Sequence, residues 1–125
     1  MAMAIAAIDL VEREPGRREA LWHNCRTLKD GLRELGFTPG ANESPILPLI
    51  IGDAGKCMQF SERLLAQGIF AQGIRPPTVP PGTCRLRLTT MATHRVADLR
   101  HAARLIGTVA RDLGVAPAAV TALAA

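Results

Sequence analysis

Through the first 35 residues the apolar positions keep helical spacing. They then break into short runs and strict alternation, and return to helical spacing near the end. Residues 2–14 predict a helix that is apolar nearly all round, through Met3, Ile5, Ile8, Leu10 and Val11, and Pro15-Gly16 breaks it. A helix of that kind belongs between two layers of protein. Residues 17–35 predict a second helix, in which Leu21, Cys25, Leu28, Leu32 and Leu35 alternate spacings of four and three before Gly36 stops it. With fewer than three heptads, that stripe reads as one face of an intramolecular core, not a coiled coil.

The period then changes. Residues 46–51, between Pro45 and Gly52-Asp53, predict a buried strand. A helix over 54–67 turns Cys57, Phe60, Leu64 and Leu65 inward and stops at Gly68. Residues 69–74 predict an edge strand. Residues 84–89 predict a third strand, with Cys84, Leu86 and Leu88 on one face and Arg85, Arg87 and Thr89 on the other. Thr93 caps a last long helix over 94–113 with Val96, Leu99, Ala103, Ile106, Val109 and Leu113 inward, and the Ala-rich residues after Pro117 predict a frayed final helix. The order α-α-β-α-β-β-α makes an α/β (α+β) fold: a small, mainly antiparallel three-stranded sheet with helices packed on one face. The third strand fits between the first two, antiparallel to both, after a right-handed β-α-β crossover. The face bearing Arg85, Arg87 and Thr89 must meet solvent or another domain.

Composition narrows the function. A chain of 125 residues with 48% hydrophobic content supports one core, and with one Trp, three Phe and no Tyr that core must be aliphatic. The net charge of +4 is carried by arginine, since Lys29 and Lys56 are the only lysines. The arginines are interleaved with acids, as in Glu12-Arg13-Glu14, which argues against a nucleic-acid partner. Three separated cysteines, Cys25, Cys57 and Cys84, form neither a disulfide nor a zinc framework and predict a reducing, cytoplasmic setting. The apolar start is too short to span a bilayer and lacks a basic flank, so no membrane partner is expected.

The candidate chemistry lies in Gly73-Ile74-Arg75-Pro76-Pro77-Thr78-Val79-Pro80-Pro81-Gly82-Thr83 and the strand after it. Four prolines in six positions pre-set the backbone and remove amide donors. Such stiffness suits a loop that must hold Arg75, Thr78 and Arg87 in fixed relation to a small anion. An arginine between two leucines is costly to bury alone. It pairs with an internal carboxylate, snorkels to the sheet edge, or grips a substrate carboxylate as a planar fork. His23 and His101 read as solvated or packed, and His94 as a local helix-start residue. Glu12 and Glu14 read as a solvated face. No metal-ligand spacing, phosphate loop, nucleophile elbow or CxxC pair is present.

Glu43-Ser44-Pro45-Ile46 through Gly52-Asp53, the Arg75-Pro76-Pro77-Thr78-Val79-Pro80 loop, Arg85-Leu86-Arg87 and Ala92-Thr93-His94 together resemble the α-oxoamine synthases. These are pyridoxal-phosphate enzymes of the aspartate-aminotransferase fold type, and the resemblance, to their C-terminal domain, runs over about residues 4–113. The Arg75-Pro76-Pro77 doublet is most similar to the branch serving biotin biosynthesis, whereas the aminolevulinate and aminoketobutyrate branches usually carry an aromatic-Pro arrangement. The resemblance implies condensation of a pimeloyl thioester with L-alanine on the cofactor, releasing coenzyme A and carbon dioxide. It further implies that Arg87 holds the amino-acid carboxylate, and that Thr78, with Arg75 nearby, lines the product or acyl-chain site.

The chain departs from the family pattern in one respect. The cofactor-bonding lysine and the aspartate and histidine that orient the pyridine ring lie upstream of the matched segment, and neither Lys29 nor Lys56 has a matching context. The expectation is therefore a single small domain of a larger homodimeric enzyme, inactive and cofactor-free alone, whose partner is the large cofactor domain. Residues 1–14 would be an inter-domain helix, 15–114 the small domain and 115–125 a tail. Three alternatives stand beside it: a glycine C-acetyltransferase-like branch, a non-catalytic α/β interaction domain, and a helical dimerisation module that would leave the proline loop without a reason.

Overall fold

A computed structural model describes residues 1–37, 39 and 44–115. Its elements are α1 (Ala2–Arg13), α2 (Pro15–Glu34), β1 (Ile46–Gly52), α3 (Ala54–Ala66), β2 (Gln72–Ile74), β3 (Cys84–Thr89) and α4 (Val96–Asp112), the expected order. The expected final helix after Pro117 lies outside the described residues.

Alternation along β3 organises the sheet. The strand order is β1-β3-β2, with β3 antiparallel to both neighbours. Leu86 and Leu88 stand opposite Leu49 and Leu47, and all four are buried on the same face. The helices close over them, since Leu28 and Leu32 of α2, Phe60 and Leu64 of α3, and Ile106 and Val109 of α4 join one continuous core. Each fully buried side chain of this size contributes roughly 1.5–3 kcal/mol by leaving water. Helices α2 and α4 approach closely because Gly31 has no side chain; a Cβ there would lie 2.9 Å from Cβ of Ala103.

Several boundaries differ from the sequence reading, each for a local reason. Pro15 does not separate the first two helices but opens α2, where its fixed φ and missing N–H are harmless. The edge strand is shorter than expected. Gly68 ends α3 in the left-handed region, the Ile69 amide donates to the Leu64 carbonyl at 2.8 Å, and the Ser61 hydroxyl donates to the Ala71 carbonyl at 2.6 Å. Residues 69–71 are thus held by α3, and pairing with β3 begins only at Gln72. Leu35 and Leu65, expected inward, are exposed. Thr93 does not cap α4: the cap position is Arg95, with no side-chain cap bond, because the preceding loop is held in another way described below.

Candidate functional site

The outer face of the sheet is closed at one end and open at the other. Arg85 is flanked by Ile50 and Ile74, both buried, and its Nε donates to the Thr83 carbonyl at 3.2 Å. Two residues on, Arg87 lies between Pro48 and Gln72 and is exposed. Among the described residues its guanidinium makes no hydrogen bond or ion pair. The internal carboxylate that would have made Arg87 a purely structural residue is therefore not found among them. A guanidinium keeps its five donors and its charge at any physiological pH, so this one is free to take a carboxylate in two parallel bonds.

Two turns stiffen the loop between β2 and β3. The Thr78 amide donates to the Arg75 carbonyl at 3.2 Å across a cis Pro76–Pro77 bond. The Thr83 amide and hydroxyl both donate to the Pro80 carbonyl, at 3.2 and 2.6 Å, around Gly82, whose φ of 79° suits only glycine without strain. Arg75 and Thr78 are exposed at the two ends of the first turn, so the structure brings these two together. Neither lines the cleft that Arg87 lines.

That cleft, of about 570 Å³, opens where β2 stops short and leaves one edge of β3 uncovered. Leu88, Leu99 and Ile106 form apolar walls, and Arg87, His94 and Gln72 bring polar groups to it. The loop behind it is fastened by Asn24 of α2, 4% exposed, whose Nδ2 donates to the carbonyls of Met91 at 3.0 Å, His94 at 2.9 Å and, more weakly, Ala92 at 3.4 Å. His94 Nδ1 in turn accepts from the Met91 amide at 3.0 Å. The sequence reading missed Asn24. The available signal was its spacing, three residues after Leu21 and four before Leu28, which puts a polar side chain on the inward face.

Other chemistry-bearing groups are quiet. Cys25, Cys57 and Cys84 are free and buried. Burial, and secondarily the nearby Cys84 thiol, push the Cys57 thiol from 9.0 up to about 11 despite an opposing hydrogen bond from the Ile74 backbone, so it stays protonated and unreactive. His23 is exposed on the α2–α4 groove and His101 is exposed at the cleft. Among the described residues no three His, Cys, Asp or Glu side chains group as metal ligands, and no helix is long and apolar enough to cross a membrane.

A three-stranded antiparallel sheet with helices on one face is an α/β fold shared with part of the fold-type-I pyridoxal-phosphate enzymes. The chain matches the aminotransferase class I and II family over residues 1–106 and belongs to that family. It is 50% identical over 117 residues to the 8-amino-7-oxononanoate synthase of Geotalea daltonii, covering 92% of this chain and 30% of that protein. It is 47% identical over 114 residues to that of Symbiobacterium thermophilum, covering 91% and 29%. Among solved structures, a serine palmitoyltransferase from S. paucimobilis with bound PLP–myriocin aldimine superposes with a TM-score of 0.83 at 30% identity, covering 92% of this chain and 29% of that one. The 8-amino-7-oxononanoate synthase of Francisella tularensis shares the fold, with a TM-score of 0.74 at 16% identity over 87% of this chain and 32% of that one. The chain thus spans about 30% of the length of the curated relatives it matches.

The described residues do not fit pyridoxal phosphate. Neither Lys29 nor Lys56 lines either cleft, and the Lys56 amide lies in the first turn of α3, donating to Asp53 at 2.8 Å.

Proposed function

We propose that this chain is the substrate-carboxylate-binding part of a pyridoxal-phosphate-dependent acyl-CoA:amino-acid C-acyltransferase, most like 8-amino-7-oxononanoate synthase. In that reaction a pimeloyl thioester and L-alanine give 8-amino-7-oxononanoate. A carbon–carbon bond forms between the alanine Cα and the acyl carbonyl carbon, the thioester bond breaks to release coenzyme A, and the alanine carboxylate leaves as carbon dioxide. The cofactor would be carried by another part of the enzyme, and this chain alone would be inactive. A cytoplasmic homodimer is the expected working form.

One observation carries this reading: Arg87, central in β3, points away from the core and its guanidinium has no partner among the described residues. A positive charge placed mid-strand between two buried leucines does nothing for the core, and its value lies in what it grips. Arg87 would orient the amino-acid carboxylate, while Thr78 and Arg75, fixed by the first turn of the loop, would border the acyl-chain or product end. Binding and orientation are the work of this chain, and the proton transfers fall to the cofactor-bearing part.

The experiment mixes this chain with a separately expressed cofactor-bearing domain of an 8-amino-7-oxononanoate synthase and supplies pyridoxal phosphate, L-alanine and pimeloyl-CoA. Turnover that appears only in the mixture and disappears with Arg87→Ala is the expected result. Silence from two domains that associate would overturn the reading in favour of an interaction scaffold. Turnover by this chain alone would overturn the assignment of the cofactor to another part.

A further inference from the structure

Arg87 has two cross-strand neighbours, and they differ in kind. The register sets Pro48 of β1 directly opposite it on one side and Gln72 of β2 on the other. Opposed residues share a face of the sheet, with Cβ atoms about 4.5–5.5 Å apart. Pro48 and Gln72 therefore stand with Arg87 on the outer face, away from Leu86 and Leu88. Pro48 has no side-chain donor, and Ile46, two residues back on the same face of β1, is 42% exposed. The β1 flank of Arg87 is thus apolar, and the β2 flank carries a side-chain amide.

The placing of Gln72 is fixed from α3. Before it, the Ala71 carbonyl accepts the Ser61 hydroxyl at 2.6 Å. After it, Gly73 lies so near α3 that a Cβ there would be 3.1 Å from the sulfur of Met58. The side chain of Gln72 is itself exposed and, among the described residues, makes no hydrogen bond. Glutamine is neither β-branched nor aromatic, so strand propensity does not account for it. Its lack of charge suits the position. A glutamate opposite Arg87 would pair with the guanidinium and close the site, and a lysine would repel it. A neutral amide does neither and still offers two N–H donors.

A carboxylate has about four lone-pair positions on its two oxygens, and a guanidinium fork takes two of them. A further donor must come from beside the fork, and the register supplies it from β2. We propose that Gln72 is this second donor, its Nε2 amide group completing the carboxylate site at Arg87. The ligand class is a small aliphatic carboxylate, its charge over Arg87 and Gln72 and its hydrocarbon part over Pro48 and Ile46. This rests on the reading of Arg87 given above and adds a residue to it.

The test uses the intact chain labelled with ¹⁵N, with propionate as probe and propionamide as its uncharged isostere. Propionate should shift the Arg87 Nε and Gln72 Nε2 signals along one saturable curve, and propionamide should leave both still. Gln72→Leu, at an exposed position whose change leaves the Leu86 and Leu88 amide signals in place, should weaken propionate binding roughly tenfold, the worth of one hydrogen bond to a charged group. Gln72→Glu should abolish binding by pairing with Arg87. An Arg87 response without a Gln72 response in the unsubstituted chain would overturn the proposal and leave the function reading standing. So would undiminished propionate binding by Gln72→Leu. No response at Arg87 would overturn both ideas together.

Discussion

Helices α1 and α4 have opposite fates. Helix α1 is the more uniformly apolar, yet none of its 12 residues is buried, and Met3, Ile5 and Ile8 are 88%, 60% and 59% exposed. Helix α4 carries Asp98, Arg100, Arg104 and Arg111, and still buries Leu99, Ala103, Ile106 and Val109. Arrangement decides the difference. The apolar positions of α4 form one stripe packed toward α2 and α3, whereas those of α1 wrap round a helix whose main neighbour within the described fold is α2. A stripe stabilises the domain that contains it; an apolar helix left in water is a surface for something else.

The largest effect that would separate the two comes from truncation. Ile106→Ala in α4 should cost about 2–5 kcal/mol in denaturant unfolding, through lost burial and a residual cavity. Ile8→Ala in α1 should stay within about 0.5 kcal/mol. Equal losses would mean that α1 belongs to the core after all.

A pH titration probes the core from another side. Cys57 keeps its proton to about pH 11 in the folded chain, against 9.0 for a free thiol, so the folded state binds the proton more tightly than the unfolded one. The associated stabilisation is complete below pH 9 and lost as the pH climbs through 11, by roughly 2–3 kcal/mol for this group. Cys57→Ala should flatten that part of the stability–pH curve; an unchanged slope would show that another group causes it.

Glycines in α2 give a finer contrast. Gly31→Ala drives a methyl against Ala103 at 2.9 Å and should cost about 1–3 kcal/mol. Gly16→Ala meets nothing within 4 Å and should gain up to about 1 kcal/mol from helix propensity. Smallest in stability is the pair Ile5→Ser with Ile8→Ser, expected to change unfolding by no more than about 0.5 kcal/mol while abolishing concentration-dependent self-association in sedimentation. A chain that is monomeric at every concentration would remove α1 as an adhesive surface.

Much of this fold is legible because period and alternation are local. Leu86 and Arg87 announce opposite faces of β3 from their order alone, and the inward stripe of α4 is read from Leu99, Ala103, Ile106 and Val109. The misreadings come from interactions between distant segments. Whether Phe70 joins a strand depends on Ser61 capturing the Ala71 carbonyl, and whether Thr93 caps α4 depends on Asn24, about 70 residues away in the chain and reaching it through a loop. The site is legible in the same uneven way. Arg87 and the proline loop stand out by composition, but the cleft needs the early end of β2, and the placing of His94 needs the Met91 amide.

The proposed function turns on Arg87 holding the carboxylate of the amino acid. The most direct measurement is the pair of KM values in the reconstituted enzyme with Arg87→Lys, which keeps the charge and loses the fork. The KM for L-alanine should rise roughly tenfold or more, as expected for loss of a bidentate charged contact, while that for pimeloyl-CoA stays near its original value. An unchanged L-alanine KM, or a rise confined to pimeloyl-CoA, would contradict it.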